Sequence, residues 1–298
     1  MALALLAPAG CSPSVLSLSE VLPISVLGDG PAVDLELGRI YVTRDETALK
    51  MDVFYPAATE EPTPAVVLVH GGFWFYGGAY MMQDWAVDLA AHGYTAASID
   101  YRLLKDGYVY PAPVADVVAA IRHLRDSAEE LNIDPERIGL FGVSSGGHLA
   151  LLAGMADDRQ LFDETLPQGQ SAEVRAIVNI YGPTDFTGDP AAAELWQVGL
   201  MTRFLDASLD DDPQRWAEAS PVTYAREDGP PVLTIHGVPD NIVPVTQARL
   251  LQEALEAAGQ PHVYIELPWA GHWWGSTWAS PPAQLHRPDI LSFFEANL

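Results

Sequence analysis

Cysteine is nearly absent from this 298-residue chain. Cys11 stands alone, so no disulfide can form within the chain and no cysteine-built zinc site can exist. Positive charge is scarce as well. Aspartate and glutamate number 40 against 15 lysines and arginines, for a formal charge of −25, and the only lysines are Lys50 and Lys105. A surface this negative repels phosphate backbones and anionic lipid heads, which disfavours a nucleic-acid partner. Long apolar runs are missing too. None reaches the roughly 20 residues that a membrane-crossing helix requires. What the chain does have is core material. Hydrophobic residues make up 49% and charged residues 18%, enough apolar surface to exclude global disorder.

The first residues, MALALLAPAGC, join a short apolar run to small residues and then a cysteine. That pattern resembles the end of a bacterial lipoprotein signal, with Ala9-Gly10-Cys11 at the processing site. Pro8 stands where such signals usually carry leucine, and no basic segment comes before it. Two readings stay open: lipid attachment at Cys11 with export, or a bland leader on a cytoplasmic protein. The stretch up to residue 36 is punctuated by Ser, Pro and Gly and reads as a tether. The expected division is therefore a leader over 1–36 and one domain over 37–298.

From Leu37 the pattern alternates between strand-like and helix-like segments. Leu37–Arg44 and Ala48–Tyr55 read as an opening pair of strands. AVVLV at Ala65–Val69 is a continuous apolar run, as a strand buried on both faces requires. A helix is expected over about Met81–Ala91, and a strand at Thr95–Asp100. Pro111–Leu131 reads as one amphipathic helix, because Val114, Val117, Ile121, Leu124, Ala128 and Leu131 recur every three or four residues. Further strands are expected at Ile138–Val143, Val174–Tyr181, Val232–His236 and Val263–Leu267. Helices are expected at Ser145–Met155, Val245–Ala258 and Asp289–Asn297. This alternation predicts an α/β fold: one open, mainly parallel sheet with helices on both faces. Phe186–Thr223 interrupts it. Trp196, Leu200, Met201, Phe204 and Leu205 give that insertion an apolar helical face, and it is expected to cover a cleft as a lid.

Chemistry-bearing residues gather at the ends of the predicted strands. Gly142-Val143-Ser144-Ser145-Gly146 is a G-x-S-x-G motif between the strand IGLFGV and the small-residue helix SGGHLALLAG. In that setting the serine occupies a strained turn that exposes its hydroxyl, and the helix start offers N–H groups to a developing oxyanion. Ser144 is the candidate nucleophile, and the Ser145 amide faces the oxyanion. A serine hydroxyl needs a base. His272, in the loop PWAGHWW after the strand VYIEL, is the best of eight histidines. The orienting acid is expected on a loop after another strand. Asp240 in HGVPDNIVP fits best, with Asp185 in YGPTDF as the runner-up. His70-Gly71-Gly72-Phe73-Trp74 follows the strand AVVLV, and the amides of Gly72 and Phe73 are the other expected oxyanion donors. Trp74, Phe75, Tyr76, Trp196, Trp273, Trp274 and Trp278 flank these motifs or the insertion. Trp74, Trp196 and Trp273 are the candidates for binding an apolar or aromatic acyl group, although each is equally at home in a packed core.

With these residues in hand, the chain resembles the α/β-hydrolase superfamily. More narrowly it is similar to the hormone-sensitive-lipase-like and BD-FAE-type bacterial carboxylesterases. The resemblance runs from about Ala48 to His272. It is carried by VLVHGGFW, SIDYRL, the long segment from PAPVADVV to HLALLAG, YGPTDF, ASPVTY and PPVLTIHGVPDNIVPVTQARLLQEALEAAG. It implies hydrolysis of small-molecule carboxylic esters through an acyl-enzyme, without metal or cofactor, by Ser144, Asp240 and His272 in that order. HGGF stands where many such esterases have HGGG, and is close to the HGGYW of kynurenine formamidases. GVSSG stands for GDSAG. An amidase or formamidase using the same residues is thus the nearest rival. A prolyl-oligopeptidase-type peptidase would need an accessory domain larger than residues 1–36. A non-catalytic binding protein on a hydrolase fold is the remaining alternative, disfavoured because every triad position is filled.

Overall fold

The structure is a computed structural model, and it describes residues 16–17, 33–44, 46–57, 59–156, 171–188 and 195–298. The strands are β1 Leu16–Ser17, β2 Asp34–Arg44, β3 Thr47–Tyr55, β4 Thr63–Val69, β5 Thr95–Ile99, β6 Ile133–Val143, β7 Ala176–Ile180, β8 Val232–Gly237 and β9 His262–Leu267. They form one sheet in the order β1-β2-β3-β5-β4-β6-β7-β8-β9. β1, β2 and β3 pair antiparallel, as do β3 and β5. From β5 to β9 every pairing is parallel. The parallel strands lie between two helical layers, so both faces of AVVLV are buried. Val67 and Val69 point into one core, with Val114, Ile121, Leu149 and Leu152. Val66 and Leu68 point into the other, with Trp85, Leu89, Phe141 and Phe294. This is the period-2 alternation of a strand read out on two apolar faces.

The helices are α1 Gln83–Ala91, α2 Ala112–Asp126, α3 Ala128–Leu131, α4 Ser145–Met155, α5 Leu195–Leu205, α6 Pro213–Glu218, α7 Thr246–Ala258 and α8 Pro281–Asn297. Two differ from the sequence-based expectation. The helix predicted over Pro111–Leu131 is two pieces, because Ser127 leaves helical geometry at φ −97°, ψ 15°, and Asn132 at φ 51° ends the second. Serine favours such breaks because its hydroxyl competes for backbone partners. The closing helix begins at Pro281 rather than Asp289. The Ser280 side chain accepts the Ala283 amide and prolines occupy its first positions, a start signal eight residues upstream of the predicted one. Pro288 lies inside that helix, where a proline ordinarily argues for a boundary.

Within the expected insertion, α5 buries Phe204 and Leu205, and Asp212 caps α6 by accepting the Arg215 amide at 3.0 Å. Residues 189–194 of that insertion lie outside the described residues. So do Cys11 and all of the predicted leader except residues 16–17 and 33–36. Among the described residues no helix is long and apolar enough to cross a membrane.

One crossing sets the position of everything at the carboxyl end of the sheet. A Cβ on Gly142 would sit 2.2 Å from the Gly146 carbonyl oxygen, and one on Gly146 would sit 2.1 Å from that of Val69. β6, α4 and β4 therefore approach more closely than any side chain permits. Gly146→Ala is expected to lower stability by about 1–3 kcal/mol as overpacking against rigid backbone. Gly199→Ala, whose new Cβ meets nothing within 4 Å among the described residues, is expected to gain up to about 1 kcal/mol from helix propensity. Urea unfolding midpoints of the two variants check both signs.

Candidate active site

β6 runs out at Val143, α4 begins at Ser145, and Ser144 stands between them at φ 56°, ψ −124°. A non-glycine residue holds such a backbone only when its surroundings enforce it. Here the Ser144 amide donates to the Ile180 carbonyl at 2.9 Å and its own carbonyl accepts the His148 amide at 3.2 Å. The side chain is left at the strand end with its oxygen facing His272. Ser144 Oγ lies 3.0 Å from His272 Nε2, and His272 Nδ1 lies 2.7 Å from Asp240 Oδ2. All three residues are buried. A carboxylate only accepts, so the imidazole proton sits on Nδ1 and the Nε2 lone pair faces the serine hydroxyl.

Asp240 occupies the loop after β8. Its Oδ1 accepts the amides of Ile242 and Val243, both at 2.9 Å. Burial alone would raise this carboxyl. Hydrogen bonding from His236, His272 and the Val243 amide outweighs burial and holds the group well below the usual carboxylate range. His272 occupies the loop after β9. A Cβ on Gly237, at the end of β8, would stand 1.8 Å from the Ala270 carbonyl oxygen, so the strand before Asp240 and the loop before His272 press directly together. Beneath the imidazole lies the fully buried Tyr181, its ring centre 4.4 Å away.

The loop after β4 completes the arrangement. Gly72, Phe73 and Trp74 all have positive φ, at 128°, 59° and 56°. The Gly72 carbonyl accepts the amides of Phe75 and Tyr76, at 2.9 and 3.1 Å. A Cβ on Gly72 would fall 1.9 Å from the Tyr76 carbonyl oxygen, so only glycine fits this tight coil. Gly71 packs against the Val143 carbonyl and the Ser144 Cβ, which brings the coil beside the serine. The Ser145 amide is the first of α4, one of the N–H groups a helix cannot satisfy internally.

A cavity of about 310 Å³ opens at Ser144. Phe73, Trp74, Phe186, Met201, Trp216 and Leu250 give it apolar walls, and Asp185, Gln197 and Gln247 add polar edges. Asp185, the runner-up acid, faces this cavity. Its Oδ1 accepts the Thr187 amide and hydroxyl at 2.8 and 2.7 Å, so it is engaged there instead of at His272. The three candidate tryptophans separate. Trp74 is buried in the cavity wall. Trp273 is 54% exposed, lies 5.2 Å from the His272 ring, and is not part of that wall. Trp196 is in the first turn of α5, and its side chain lies outside the described residues.

His148 is one of the seven histidines that the sequence sets aside in favour of His272. Its Nδ1 accepts the Trp74 indole N–H at 3.2 Å, and its Nε2 donates to the Ala219 carbonyl at 2.8 Å. It thus ties the coil after β4 and the end of α6 to the helix that follows Ser144. Gln197 was also missed. Its amide donates to the Ile242 carbonyl at 2.7 Å, linking α5 to the loop of Asp240. Neither role has a sequence signal, because each depends on a partner more than forty residues away. Among the described residues no cluster of His, Cys, Asp and Glu is suited to hold a metal ion.

Comparison with known proteins agrees with this architecture. Residues 51–255 match the family model described as BD-FAE. Esterase LipC of Mycobacterium tuberculosis is 35% identical over 216 residues, 71% of this chain and 53% of LipC. Esterase LipQ of the same organism is 31% identical over 214 residues, 70% of this chain and 50% of LipQ. The chain thus spans about half the length of these curated relatives. Among solved structures, a truncated carbohydrate esterase from gut microbiota superposes with TM-score 0.73 and 26% identity, covering 88% of this chain and 96% of that one. Thermogutta terrifontis Est2 with propionate bound gives TM-score 0.72 and 25% identity, covering 90% and 93%. The sheet order and these superpositions make the fold an α/β-hydrolase fold.

Burial holds two imidazoles of this region, His70 and His148, down to about 4 from an ordinary 6.5. Both are neutral in the folded chain, and their stabilising contribution is complete above about pH 6.5. As the pH falls from there towards 4, the unfolded chain takes up protons that the fold refuses, so stability drops. His148→Gln keeps a donor for Ala219 and removes one of the two titrations. The fall in unfolding free energy over that window is expected to become shallower by up to about one proton in slope, read from urea melts across the pH series. An unchanged slope would mean that this imidazole is protonated within the fold.

Proposed function

We propose that this chain, which belongs to the BD-FAE family, is a carboxylic-ester hydrolase that works through Ser144, His272 and Asp240 and a covalent acyl-enzyme. The observation that carries the reading is the unbroken chain of hydrogen bonds from Ser144 Oγ to His272 Nε2 at 3.0 Å and from His272 Nδ1 to Asp240 at 2.7 Å. The relatives, esterases LipC and LipQ and the probable carboxylic ester hydrolase LipM, support the same reaction class.

In the first half of the reaction Ser144 Oγ attacks the ester carbonyl carbon as its proton passes to His272 Nε2. Asp240 keeps the imidazole's tautomer and offsets the positive charge that forms. The carbonyl oxygen, now an oxyanion, takes hydrogen bonds from the amides of Gly72, Phe73 and Ser145. Each such donor is worth on the order of 3 kcal/mol in the transition state. The tetrahedral carbon then re-forms its carbonyl, the bond to the alcohol oxygen breaks, and His272 gives that oxygen the proton. In the second half water attacks the acyl carbon with the same base, and the acid is released with Ser144 Oγ reprotonated. The apolar cavity beside Ser144 receives the acyl group. Its volume of about 310 Å³ lies at the lower end of the usual range for small-molecule sites and suits a short aliphatic or single-ring acid. The insertion helices α5 and α6 supply much of that cavity's roof.

Ser144→Ala is expected to lower kcat for p-nitrophenyl butyrate by at least about 10⁴-fold with an unchanged thermal unfolding midpoint. A fluorophosphonate is expected to label the parent protein once, at Ser144. A variant that keeps full turnover would sink the assignment. N-formylkynurenine, run beside the aryl ester, separates an esterase from a formamidase by which of the two has the higher kcat/KM.

A further inference from the structure

The catalytic reading divides the space around Ser144 by chemistry. The acyl carbon stays bonded to Ser144 Oγ, whereas the departing alcohol oxygen must receive its proton from His272 Nε2. The alcohol therefore leaves on the imidazole's side. The cavity wall contains Ser144, Ser145, Phe73 and Trp74, but neither His272 nor any residue of the loop that follows it. The cavity is thus the acid's compartment, and the alcohol needs another.

A row of three aromatic rings starts at the imidazole, with Trp273 the one that touches it. Trp273 stands perpendicular to His272, at an interplanar angle of 89°. The Phe73 ring meets Trp273 edge-on at 6.1 Å and 64°, and meets Tyr76 at 6.3 Å and 45°. Trp273 and Tyr76 are exposed, at 54% and 43%, whereas Phe73 also lines the cavity. The rings form a ledge from the cavity mouth past the imidazole to solvent. Tilted and perpendicular rings present both faces and edges, the geometry in which an aromatic guest finds partners. The ledge residues carry no charge, and the Tyr76 hydroxyl and the Trp273 indole N–H are their only side-chain polar groups. That is little to offer a many-hydroxyl alcohol.

We propose that Trp273, Tyr76 and Phe73 form the leaving-group subsite and that it selects esters of planar aromatic alcohols. This inference rests on the esterase reading, because only the proton delivered by His272 puts the alcohol on this side. Trp273 and Tyr76 are specificity-determining residues here and take no part in bond breaking.

The experiment compares three esters of one acid: 1-naphthyl butyrate, ethyl butyrate and 6-O-butyrylglucose. Using the same enzyme forms on each ester cancels the intrinsic reactivity of the leaving groups. Trp273→Ala is expected to lower the ratio of kcat/KM for the naphthyl ester over the ethyl ester by about tenfold, the size of one or two lost ring contacts. Tyr76→Ala is expected to lower it less, and Trp273→Phe to restore most of it. The acyl-enzyme is common to all three esters, so the rate constant of its hydrolysis, measured after the burst, is expected to be the same from each ester within any one variant. A drop equal for all three esters, or one confined to the glucose ester, would overturn the aromatic subsite while leaving the esterase reading intact. If the parent protein cleaves none of the esters and resists fluorophosphonate, the esterase reading fails first and the ledge with it. Thermal unfolding of each variant separates a lost contact from a lost fold.

Discussion

Backbone crowding where β6 turns into α4 is the constraint on which the rest of the site depends. Gly142 and Gly146 leave no room for a side chain against α4 and β4, so the chain can reverse direction within a few residues. The reversal forces Ser144 to a positive φ, a conformation that costs on the order of 1–3 kcal/mol for a residue with a Cβ. That strain is offset by apolar burial on both sides: the residues of α4 and the strands it covers are almost wholly inaccessible to solvent. A looser turn would spare the strain. It would also let the serine side chain fall back along the strand instead of meeting an imidazole carried by a loop 128 residues later.

The same economy of space governs the partners. Four loops converge on the carboxyl ends of β4, β6, β8 and β9, the edge where open α/β sheets form their sites. They are fitted by backbone contact as much as by side chains. Gly71 lies on Val143 and Ser144, and Gly237 lies on Ala270. At Asp240 this packing buries a charge, in a molecule already at −25. A buried carboxylate without donors would take up a proton. Two backbone amides on one oxygen, and His272 and His236 on the other, keep it ionised. Orientation and charge are thus secured by the same few bonds.

The carboxyl-end motifs were legible in the sequence because each is a local device. A continuous apolar run, a glycine pair and a polar residue within four or five positions announce a buried strand and the tight turn after it. The central strands carry this signature most clearly: their carboxyl ends fall within a residue of expectation, whereas β6 begins at Ile133, five residues before its apolar run. Errors came where a local rule meets a tertiary override. Ser127 breaks a helix that apolar periodicity carries through it, and Pro288 sits inside one that proline should have ended. The tryptophans show the same limit at the site. Composition identifies Trp74 and Trp273 as aromatic and near the motifs. Only the path of the chain puts one in the cavity wall and the other at the solvent edge of the imidazole.

Three other histidines near the site show why one imidazole is set apart, since proximity and burial do not distinguish them. His70, His148 and His236 are all buried at the same end of the sheet, and His70 and His236 also sit at strand ends. Each commits a ring nitrogen to a backbone carbonyl: His70 Nδ1 to Gly71, His148 Nε2 to Ala219 and His236 Nε2 to Val243. For His70 and His148 burial opposes a second proton, and the bond to the carbonyl offsets that only in part. His272 and His236 both reach the Asp240 carboxylate, at 2.7 and 3.4 Å, but of these four rings His272 is the one that also meets the Ser144 hydroxyl. Its Nδ1 lies against the carboxylate and its Nε2 against the hydroxyl, so the ring bridges the two side chains. That pairing of partners, a carboxylate at one nitrogen and a hydroxyl at the other, is supplied to one imidazole out of four by the packing that fixes Ser144 and Asp240.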